Sequence, residues 1–174
     1  MILYASKKLP AYDLLELAVR EVWGWPALPE IVREGGGKPR FAHHPEAHFN
    51  LSHSGGLALC GLDSAPIGVD IQIVKSTWRE GLPGRVCSRK ELLWLERQPQ
   101  RWQAFARLWV LKECRVKYSG TGLRGDLRNI PIPLPECGNT LYQKDDLWFR
   151  LFSGEGWEGA VCGQTPPPEI LHWK

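Results

Sequence analysis

Apolar residues recur at helical spacing in three segments of the chain. In residues 11–25 the apolar side chains fall on one stripe and the charged ones lie outside it, which predicts an amphipathic helix. A second helix is predicted at 88–97, because Ser88 and Glu91 have the spacing of a capping box. A third, longer helix is predicted from about 101 to 119.

Apolar and polar residues alternate in several shorter segments, which predicts antiparallel strands. The clearest alternation is at 67–74, and residues 75–87 read as a polar loop. The other predicted strands lie at 48–53, 57–62, 129–134, 140–143, 146–152 and 158–163. Each half of the chain thus has a helix followed by antiparallel strands. Residues 57–61 (LALCG) also resemble 159–163 (GAVCG), which fits either a duplicated architecture or chance.

Length and charge narrow the function only slightly. The 174 residues suffice for one compact domain or for two small halves packed as one. The net charge of +3 is uneven, since residues 75–128 carry 13 lysines and arginines against 5 aspartates and glutamates. Such a basic segment suits an anionic ligand, an acidic protein or nucleic acid.

The cysteines and the apolar runs indicate a cytoplasmic protein. The N-terminus has no apolar run of the kind found in signal peptides, and no segment approaches the roughly 20 apolar residues of a membrane helix. The five cysteines form no CxxC pair, which favours free thiols in a reducing compartment.

Asp70 is unusual for its position in the predicted strand 67–74. Its side chain shares a face with Gly68 and Gln72, because side chains alternate along a strand. Asp70 is either a solvent-facing residue or a metal ligand, in which case Gly68 would leave room for a ligand to approach the backbone.

The third predicted helix carries a polar stripe on an otherwise apolar segment. Trp109, Glu113 and Lys117 stack at helical spacing, with Lys112 adjoining them. This stripe is either a solvated Glu–Lys pair or one wall of a cleft.

A third candidate lies where a predicted strand meets a tight turn. Ser52 and His53, with the turn amides that follow, would suit a phosphate, although serine and glycine also simply form turns. A zinc site is disfavoured, because the histidines of this region match no ligand spacing. These histidines are His43, His44, His48 and His53.

Together these segments resemble the 4′-phosphopantetheinyl transferases, specifically the Sfp-like group, which activates carrier proteins of peptide, polyketide and fatty-acid synthases. The resemblance covers residues 37–123 and rests on five motifs in the same order. The motifs are Gly37-Lys38-Pro39, Phe49-Asn50-Leu51-Ser52-His53-Ser54, Ile67-Gly68-Val69-Asp70-Ile71, Trp109-x-x-Lys112-Glu113-x-x-x-Lys117 and Gly120-x-Gly122-Leu123.

The resemblance implies an α+β fold of two pseudo-twofold-related halves, each with a helix packed on a small antiparallel sheet, and coenzyme A between them. We expect residues 1–174 to form a single compact transferase domain, with approximate halves 1–75 and 76–165 and a tail at 166–174. The chain starts close to its first helix, so we expect a truncated first half.

The implied reaction is attack by a carrier-protein serine on the pantetheine-side phosphorus of coenzyme A, releasing adenosine 3′,5′-bisphosphate. Such a step depends on positioning and charge neutralisation. The resemblance assigns Mg²⁺, with Mn²⁺ as an alternative, to Asp70, Glu113 and Gln72. Lys117 would stabilise the pyrophosphate charge, and Glu113 or Glu91 would accept the serine proton.

The resemblance also implies contacts to coenzyme A. They involve Lys38, Pro39, Ser52, His53, Lys112, Lys117, Lys7 and Lys8. Lys112 either contacts a phosphate or anchors one helix to another. In this family a longer N-terminal segment supplies basic residues that bind the 3′-phosphate of coenzyme A. Lys7 and Lys8 would substitute for those residues.

One departure concerns the metal. The family often has glutamate two residues after the aspartate, where this chain has Gln72. An amide oxygen still ligates Mg²⁺, but one negative charge is lost, so we expect weaker metal affinity or altered metal preference rather than loss of the site.

The expected partner is an acidic acyl or peptidyl carrier protein. We predict that it docks on residues 75–87, where Trp78, Leu82 and Val86 lie among basic neighbours. A catalytically weakened relative that binds coenzyme A or a carrier is the main alternative. Nucleic-acid binding through the basic segment is another, against which the absence of any such motif counts. No membrane partner is expected.

Overall fold

The computed structural model describes residues 1–33, 37–79, 81–122 and 125–174. Within these ranges, helices and strands occur in the following order: β1 (Ile2–Ser6), α1 (Ala11–Trp23), β2 (Ile31–Val32), β3 (Arg40–Phe41), β4 (His48–Ser54), β5 (Leu57–Asp63), β6 (Ile67–Ile73), α2 (Leu82–Val86), α3 (Arg89–Glu96), α4 (Arg101–Ser119), β7 (Leu141–Lys144), β8 (Leu147–Gly154), β9 (Trp157–Gly163) and β10 (His172–Trp173).

The three predicted helices are present as α1, α3 and α4, and six of the seven predicted strands are present as β4 to β9. The strand predicted at 129–134 is wrong. A 3₁₀ turn at Leu127–Asn129 begins this region, and the prolines that follow have no N–H to donate to a ladder. The predicted loop at 75–87 contains the short helix α2.

The strands form two four-stranded sheets with related connectivity. The first has the order β10-β1-β5-β4 and the second the order β6-β9-β8-β7. In each, the strand that precedes the main helix (β1 or β6) pairs antiparallel with the second strand of a hairpin (β5 or β9). The resembling segments 57–61 and 159–163 therefore occupy equivalent strands. This arrangement confirms the predicted α+β fold of two related halves.

Strand β6 belongs to the second sheet by its hydrogen bonds. It pairs with β9 along its whole length, from Ile67 opposite Gly163 to Ile73 opposite Trp157. The approximate division at residue 75 counts β6 with the first half. A division just before β6 follows the hydrogen bonding instead, and we adopt it below.

Apolar side chains bury each main helix against its own sheet. Leu14, Leu15 and Val19 of α1 pack in one cluster, and Phe105 and Leu108 of α4 pack in another. A third cluster lies between the halves and joins β1 and β5 to β6 and β9. Burial of this kind contributes about 25 cal/mol per Å² of apolar surface, so the halves are held together by core as well as by chain connectivity.

The outer edge of β6 is covered by polar side chains of β4. The backbone N–H groups of Val69, Ile71 and Ile73 donate to Asn50 Oδ1 (2.8 Å), Ser52 Oγ (3.2 Å) and Ser54 Oγ (3.1 Å). These three side chains share one face of β4, because they stand two residues apart. This side-chain ladder satisfies an otherwise open strand edge and sets β4 beside β6.

Two further observations concern the cysteines and the helices. All five cysteines are free, and four of them are buried. In the described part of the chain, none of the helices has the length and apolarity needed to cross a bilayer.

Candidate active site

A cavity of about 1080 Å³ lies where β4 and β6 meet, and α4 forms one wall of it. It brings together most of the residues that the sequence singled out. Those that line it are Lys7, Lys8, Lys38, Pro39, Ser52, His53, Asp70, Gln72, Glu113 and Lys117. Of the motif at 120–123, Gly120 and Gly122 line the cavity, and Leu123 lies outside the described residues.

The approach of α4 to β6 is fixed at Gly68. A Cβ atom placed on Gly68 would lie 1.9 Å from the carbonyl oxygen of Cys114, so no side chain fits there without moving the helix. The expectation that Gly68 makes room for a ligand is therefore wrong, because the helix backbone fills that space. The close packing sets Asp70 against the face of α4 that carries Lys117.

Two hydrogen bonds orient the Asp70 carboxylate. Its Oδ1 accepts from Ser52 Oγ at 2.7 Å and from Lys117 Nζ at 2.7 Å. Asp70 is only 5% exposed, and burial raises its pKa while Lys117 and Ser52 act in the opposite direction. Ser52 thus contributes to the site by holding a carboxylate as well as by lining the cavity.

Glu113 lies one helical turn before Lys117 and has no hydrogen-bond or ion-pair partner in the described part of the chain. Burial raises the pKa of Glu113, and the negative charge of Asp70 raises it further, while Lys117 opposes both. The two carboxyl groups are therefore close enough to repel each other. A cation between them would relieve this repulsion.

Gln72 completes the oxygen-rich side of the cavity. Its Nε2 donates to Ser54 Oγ (3.1 Å) and to the Ile73 carbonyl oxygen (3.1 Å). Because the nitrogen is used in this way, the amide oxygen is the atom that Gln72 can offer to a ligand.

Cations also line the cavity. Lys38 is partly buried and its Nζ donates to the Ile67 carbonyl oxygen. Burial lowers the pKa of Lys38 to about 8. Lys7, Lys8 and His53 are exposed at the rim. The cavity thus presents both carboxylates and positively charged side chains to the same space.

Lys112 and Glu91 lie elsewhere. Lys112 is 1% exposed, and its Nζ is 3.0 Å from Glu91 Oε1. The same Nζ donates to the carbonyl oxygens of Leu127 (3.0 Å) and Ile130 (3.2 Å). Lys112 therefore anchors α4 to α3 and to the segment after α4, and the fold does not bring Glu91 to the cavity.

Sequence reasoning missed several residues of the cavity wall, among them two with polar groups. Tyr12 and Arg33 both line it, and Arg33 Nη2 is 3.5 Å from Tyr12 Oη. The available signals were an aromatic residue away from the apolar stripe of α1 and an arginine just before a glycine-rich loop. Gly35 and Gly36 of that loop lie outside the described residues.

The apolar residues of the predicted docking loop belong to the core. Trp78 packs on Phe105 and Trp109 with ring centroids 5.0 and 6.0 Å apart, and Val86 is buried. Leu82 packs against the same cluster. Trp78, Leu82 and Val86 are thus not an exposed docking patch. The exposed charged side chains of this segment include Lys75, Arg79 and Arg85.

Comparison with known sequences gives one consistent family. Residues 66–162 match the 4′-phosphopantetheinyl transferase superfamily. The chain is 32% identical to the 4′-phosphopantetheinyl transferase Sfp of Bacillus subtilis over 137 residues, which cover 75% of this chain and 61% of that protein. It is 32% identical to the 4′-phosphopantetheinyl transferase psf-1 of Bacillus pumilus over 171 residues (93% of this chain, 72% of the relative).

A further relative comes from another genus. The chain is 40% identical to the 4′-phosphopantetheinyl transferase AcpT of Salmonella typhimurium over 145 residues, which cover 80% of this chain and 69% of the relative. The chain spans about 61% of the length of the Bacillus subtilis relatives that it matches. The match that begins at residue 66 coincides with the start of β6 and therefore of the second half.

Proposed function

The chain belongs to the 4′-phosphopantetheinyl transferase superfamily, and from this premise we propose that it is an enzyme that transfers the 4′-phosphopantetheine arm of coenzyme A to a serine of an acyl or peptidyl carrier protein. Adenosine 3′,5′-bisphosphate is the second product. The observation that carries the proposal is the cavity at the seam, in which Asp70 and Glu113 face the same space as Lys38 and Lys117.

The charges of this cavity suit a pyrophosphate ester. Lys38 lies in the cavity wall although burial disfavours its positive charge. Such an unfavourable position is expected for a cation whose role is to bind an anionic ligand. Lys117 is paired with Asp70 at 2.7 Å and remains 27% exposed, so its remaining protons can reach a phosphate oxygen. A cavity of about 1080 Å³ accommodates a ligand of nucleotide size.

Asp70, Glu113 and Gln72 would hold Mg²⁺ or Mn²⁺. Their donors fit, because two carboxylates and an amide oxygen are the ligand class that these cations prefer, and because the mutual repulsion of the two carboxyl groups favours a cation. When bound, the metal neutralises charge on the pyrophosphate.

The residues of the chain would then act as follows. The serine oxygen forms a bond to the pantetheine-side phosphorus, and the bond from this phosphorus to the bridging oxygen breaks. Lys117 stabilises the charge on that oxygen. The proton of the serine passes to the Glu113 carboxylate, directly or through water. Glu91 has no part in this scheme.

We further propose that an acidic carrier approaches the rim of the cavity next to residues 75–87. Lys75, Arg79 and Arg85 are exposed there and form no ion pair within the described residues. Their charge would steer the carrier and speed its association. Free thiols agree with a cytoplasmic enzyme.

The test is the transfer itself. The purified chain is mixed with apo carrier proteins, coenzyme A and Mg²⁺, and the carrier is examined by mass spectrometry. A gain of one phosphopantetheine per carrier is expected. Asp70→Ala should abolish it, whereas Asp146→Ala, which removes an exposed carboxylate of the β7–β8 turn, should not.

No gain with any carrier, at any Mg²⁺ or Mn²⁺ concentration, would overturn the proposal. If coenzyme A still bound under those conditions, the chain would be a binding relative. The missing charge at Gln72 is the feature that favours this second candidate.

A further inference from the structure

The buried hydroxyl of Ser6 makes three hydrogen bonds beside the rim of the cavity. Ser6 is 0% exposed, and its Oγ accepts hydrogen bonds from the backbone N–H groups of Lys8 (3.0 Å) and Leu9 (2.9 Å). The same hydroxyl donates to the main-chain oxygen of Lys174 at 3.0 Å. One donor and two acceptor sites are all that a hydroxyl has, so each is used. The two N–H groups belong to the loop that lines the cavity.

Residues 172–174 are bound to the first sheet along their backbone. Strand β10 pairs parallel with β1, and the Lys174 N–H donates to the Ala5 carbonyl oxygen at 2.9 Å. The Lys174 Nζ also lies 2.8 Å from Glu21 Oε1 on α1. This segment crosses from the second half of the chain to the first strand of the first half.

Trp173 links the same segment to a cation of the cavity. The Lys7 Nζ lies 5.8 Å from the centroid of the Trp173 ring, within the range of a cation–π contact. On its other side the Trp173 ring is 5.7 Å from the ring of Trp157 on β9. Residues 172–174 therefore contact both halves and the side chain of Lys7, and the Ser6 hydroxyl connects them to the backbone N–H groups of Lys8 and Leu9.

We propose that residues 172–174 form a strap that positions Lys7 and Lys8 for the phosphate on the ribose of coenzyme A, and that the strap acts through the Ser6 hydroxyl. This inference rests on the proposed function. The two lysines are exposed and belong to no regular element, so their side chains would otherwise lose freedom when they bind. A loop held in place before binding avoids part of that cost and recognises the ribose phosphate more tightly.

Removing the Ser6 hydroxyl tests the strap. Ser6→Ala leaves two backbone N–H groups and one main-chain oxygen without their partner, while the backbone of β1 is unchanged. Dissociation constants are measured by calorimetry for coenzyme A and for 3′-dephospho-coenzyme A. We expect Ser6→Ala to weaken coenzyme A binding by about tenfold and 3′-dephospho-coenzyme A binding by about twofold or less.

The matched control is Ser64→Ala. Ser64 is exposed, and its hydroxyl forms no hydrogen bond with the described residues. It should leave both constants unchanged. Trp173→Ala is the second variant, because it removes an exposed ring that contacts Lys7 and Trp157. Trp173→Ala should weaken coenzyme A binding by about threefold. If Ser6→Ala does not fold, the result for Trp173→Ala alone tests whether the strap positions the lysines.

The outcomes separate the two proposals. If Ser6→Ala weakens both ligands equally, or neither, the strap does not position the lysines and the inference is wrong. The same follows if the unaltered protein binds the two ligands equally well while transfer still occurs. Failure of the unaltered protein to bind coenzyme A at all would overturn the proposed function, and the strap with it.

Discussion

Two lysines that lie five residues apart on α4 each pair with a carboxylate, and the two pairs have different surroundings. Lys112 is paired with Glu91 at 3.0 Å, and both side chains are almost wholly buried, at 1% and 8% exposure. Lys117 is paired with Asp70 at 2.7 Å, but its side chain is 27% exposed to the cavity. Five residues turn a helix by about 140°, so the two pairs lie on different faces of α4.

The comparison teaches that the same pair of residue types serves structure on one face and chemistry on the other. Lys112 has three oxygen partners, each contributed by the protein. Lys117 has two oxygen partners, Asp70 at 2.7 Å and the Leu51 carbonyl oxygen at 3.5 Å, and it lines a space large enough for a ligand. What separates them is how many of the three ammonium protons the fold itself satisfies.

The largest effect is expected from Lys112→Met. The change leaves the buried Glu91 carboxylate without its cation, although Glu91 Oε2 still accepts from the Ser88 N–H, and it removes one hydrogen bond from each of two carbonyl oxygens. We therefore expect the free energy of unfolding to fall by about 3–5 kcal/mol. Urea denaturation measures this. Adding Glu91→Leu should recover part of the loss, because the whole pair is then replaced by apolar groups. Transfer by the folded fraction should change less than tenfold, and a larger loss would mean that Lys112 serves the reaction as well.

Lys117→Met should show the reverse pattern. We expect kcat for transfer to fall by about 10²-fold, since the change removes charge stabilisation from the reacting phosphates. The free energy of unfolding should fall less than in Lys112→Met, because Asp70 keeps its hydrogen bond to Ser52 and Lys117 is 27% exposed to the cavity. Rapid-quench kinetics and urea denaturation on one preparation give both numbers. Loss of stability without loss of kcat would place Lys117 with Lys112.

Lys38 is a third lysine at which stability and ligand binding are in conflict, and its effect on stability depends on pH. Its pKa is lowered from 10.5 to about 8 in the folded protein, so its charge opposes folding at pH 7. Lys38→Met should therefore raise the free energy of unfolding by about 2 kcal/mol at pH 7. The gain should shrink as pH rises from 8 towards 10.5, where the lysine is neutral when folded but still protonated when unfolded. Chemical denaturation across this range checks the sign.

The same variant should bind coenzyme A more weakly, since it removes a cation from the cavity. If Lys38→Met destabilised the protein at pH 7, the hydrogen bond to Ile67 would outweigh the cost of burying the charge.

The smallest effect concerns position 72. Gln72 stands directly opposite Glu158 across β6 and β9. The Glu158 carboxylate is fully buried and held by Gln103 (2.7 Å), Ser153 (2.5 Å) and Arg107 (3.2 Å). Gln72→Glu would place a second carboxylate beside it, and we expect a loss of about 1 kcal/mol without metal.

Thermal melting with and without Mg²⁺ measures this effect. Adding Glu158→Gln should remove the interaction between the two positions, which a double-mutant cycle isolates. If Gln72→Glu alone stabilised the metal-free protein, Glu158 would not be what disfavours a carboxylate at this position.

Sequence patterns were sufficient for α1, α3, α4 and the strands β4 to β9, but not for the short helix α2 or for β1, β2, β3 and β10. The periodicity of α1 and α4 is strong because each helix buries one face on a sheet. Strand β1 was missed because four of its five residues are buried and its apolar run shows no alternation. The pairing of β6 with β9 joins residues about ninety apart, which no local pattern encodes.

The candidate site was predictable as a set of residues but not as a geometry. Asp70 and Glu113 were found because a carboxylate in a strand and a polar stripe on an apolar helix are local anomalies. Ser52 holds Asp70 across 18 residues of sequence, and this contact depends on how two strands meet. Lys112 and Lys117 carry nearly the same local signal, so only the packing of α3 against α4 tells them apart.

Because of the side-chain ladder between β4 and β6, hydrogen exchange along β6 reports on two different opening motions. The amides of Val69, Ile71 and Ile73 are bonded to the other half, so their exchange with solvent deuterium requires the halves to part. The amides between them point towards β9 and exchange only when the second sheet itself opens. The exchange rates of neighbouring amides of β6 therefore report separately on the separation of the two halves, which opens the cavity, and on the opening of the second sheet. No probe has to be added to the protein.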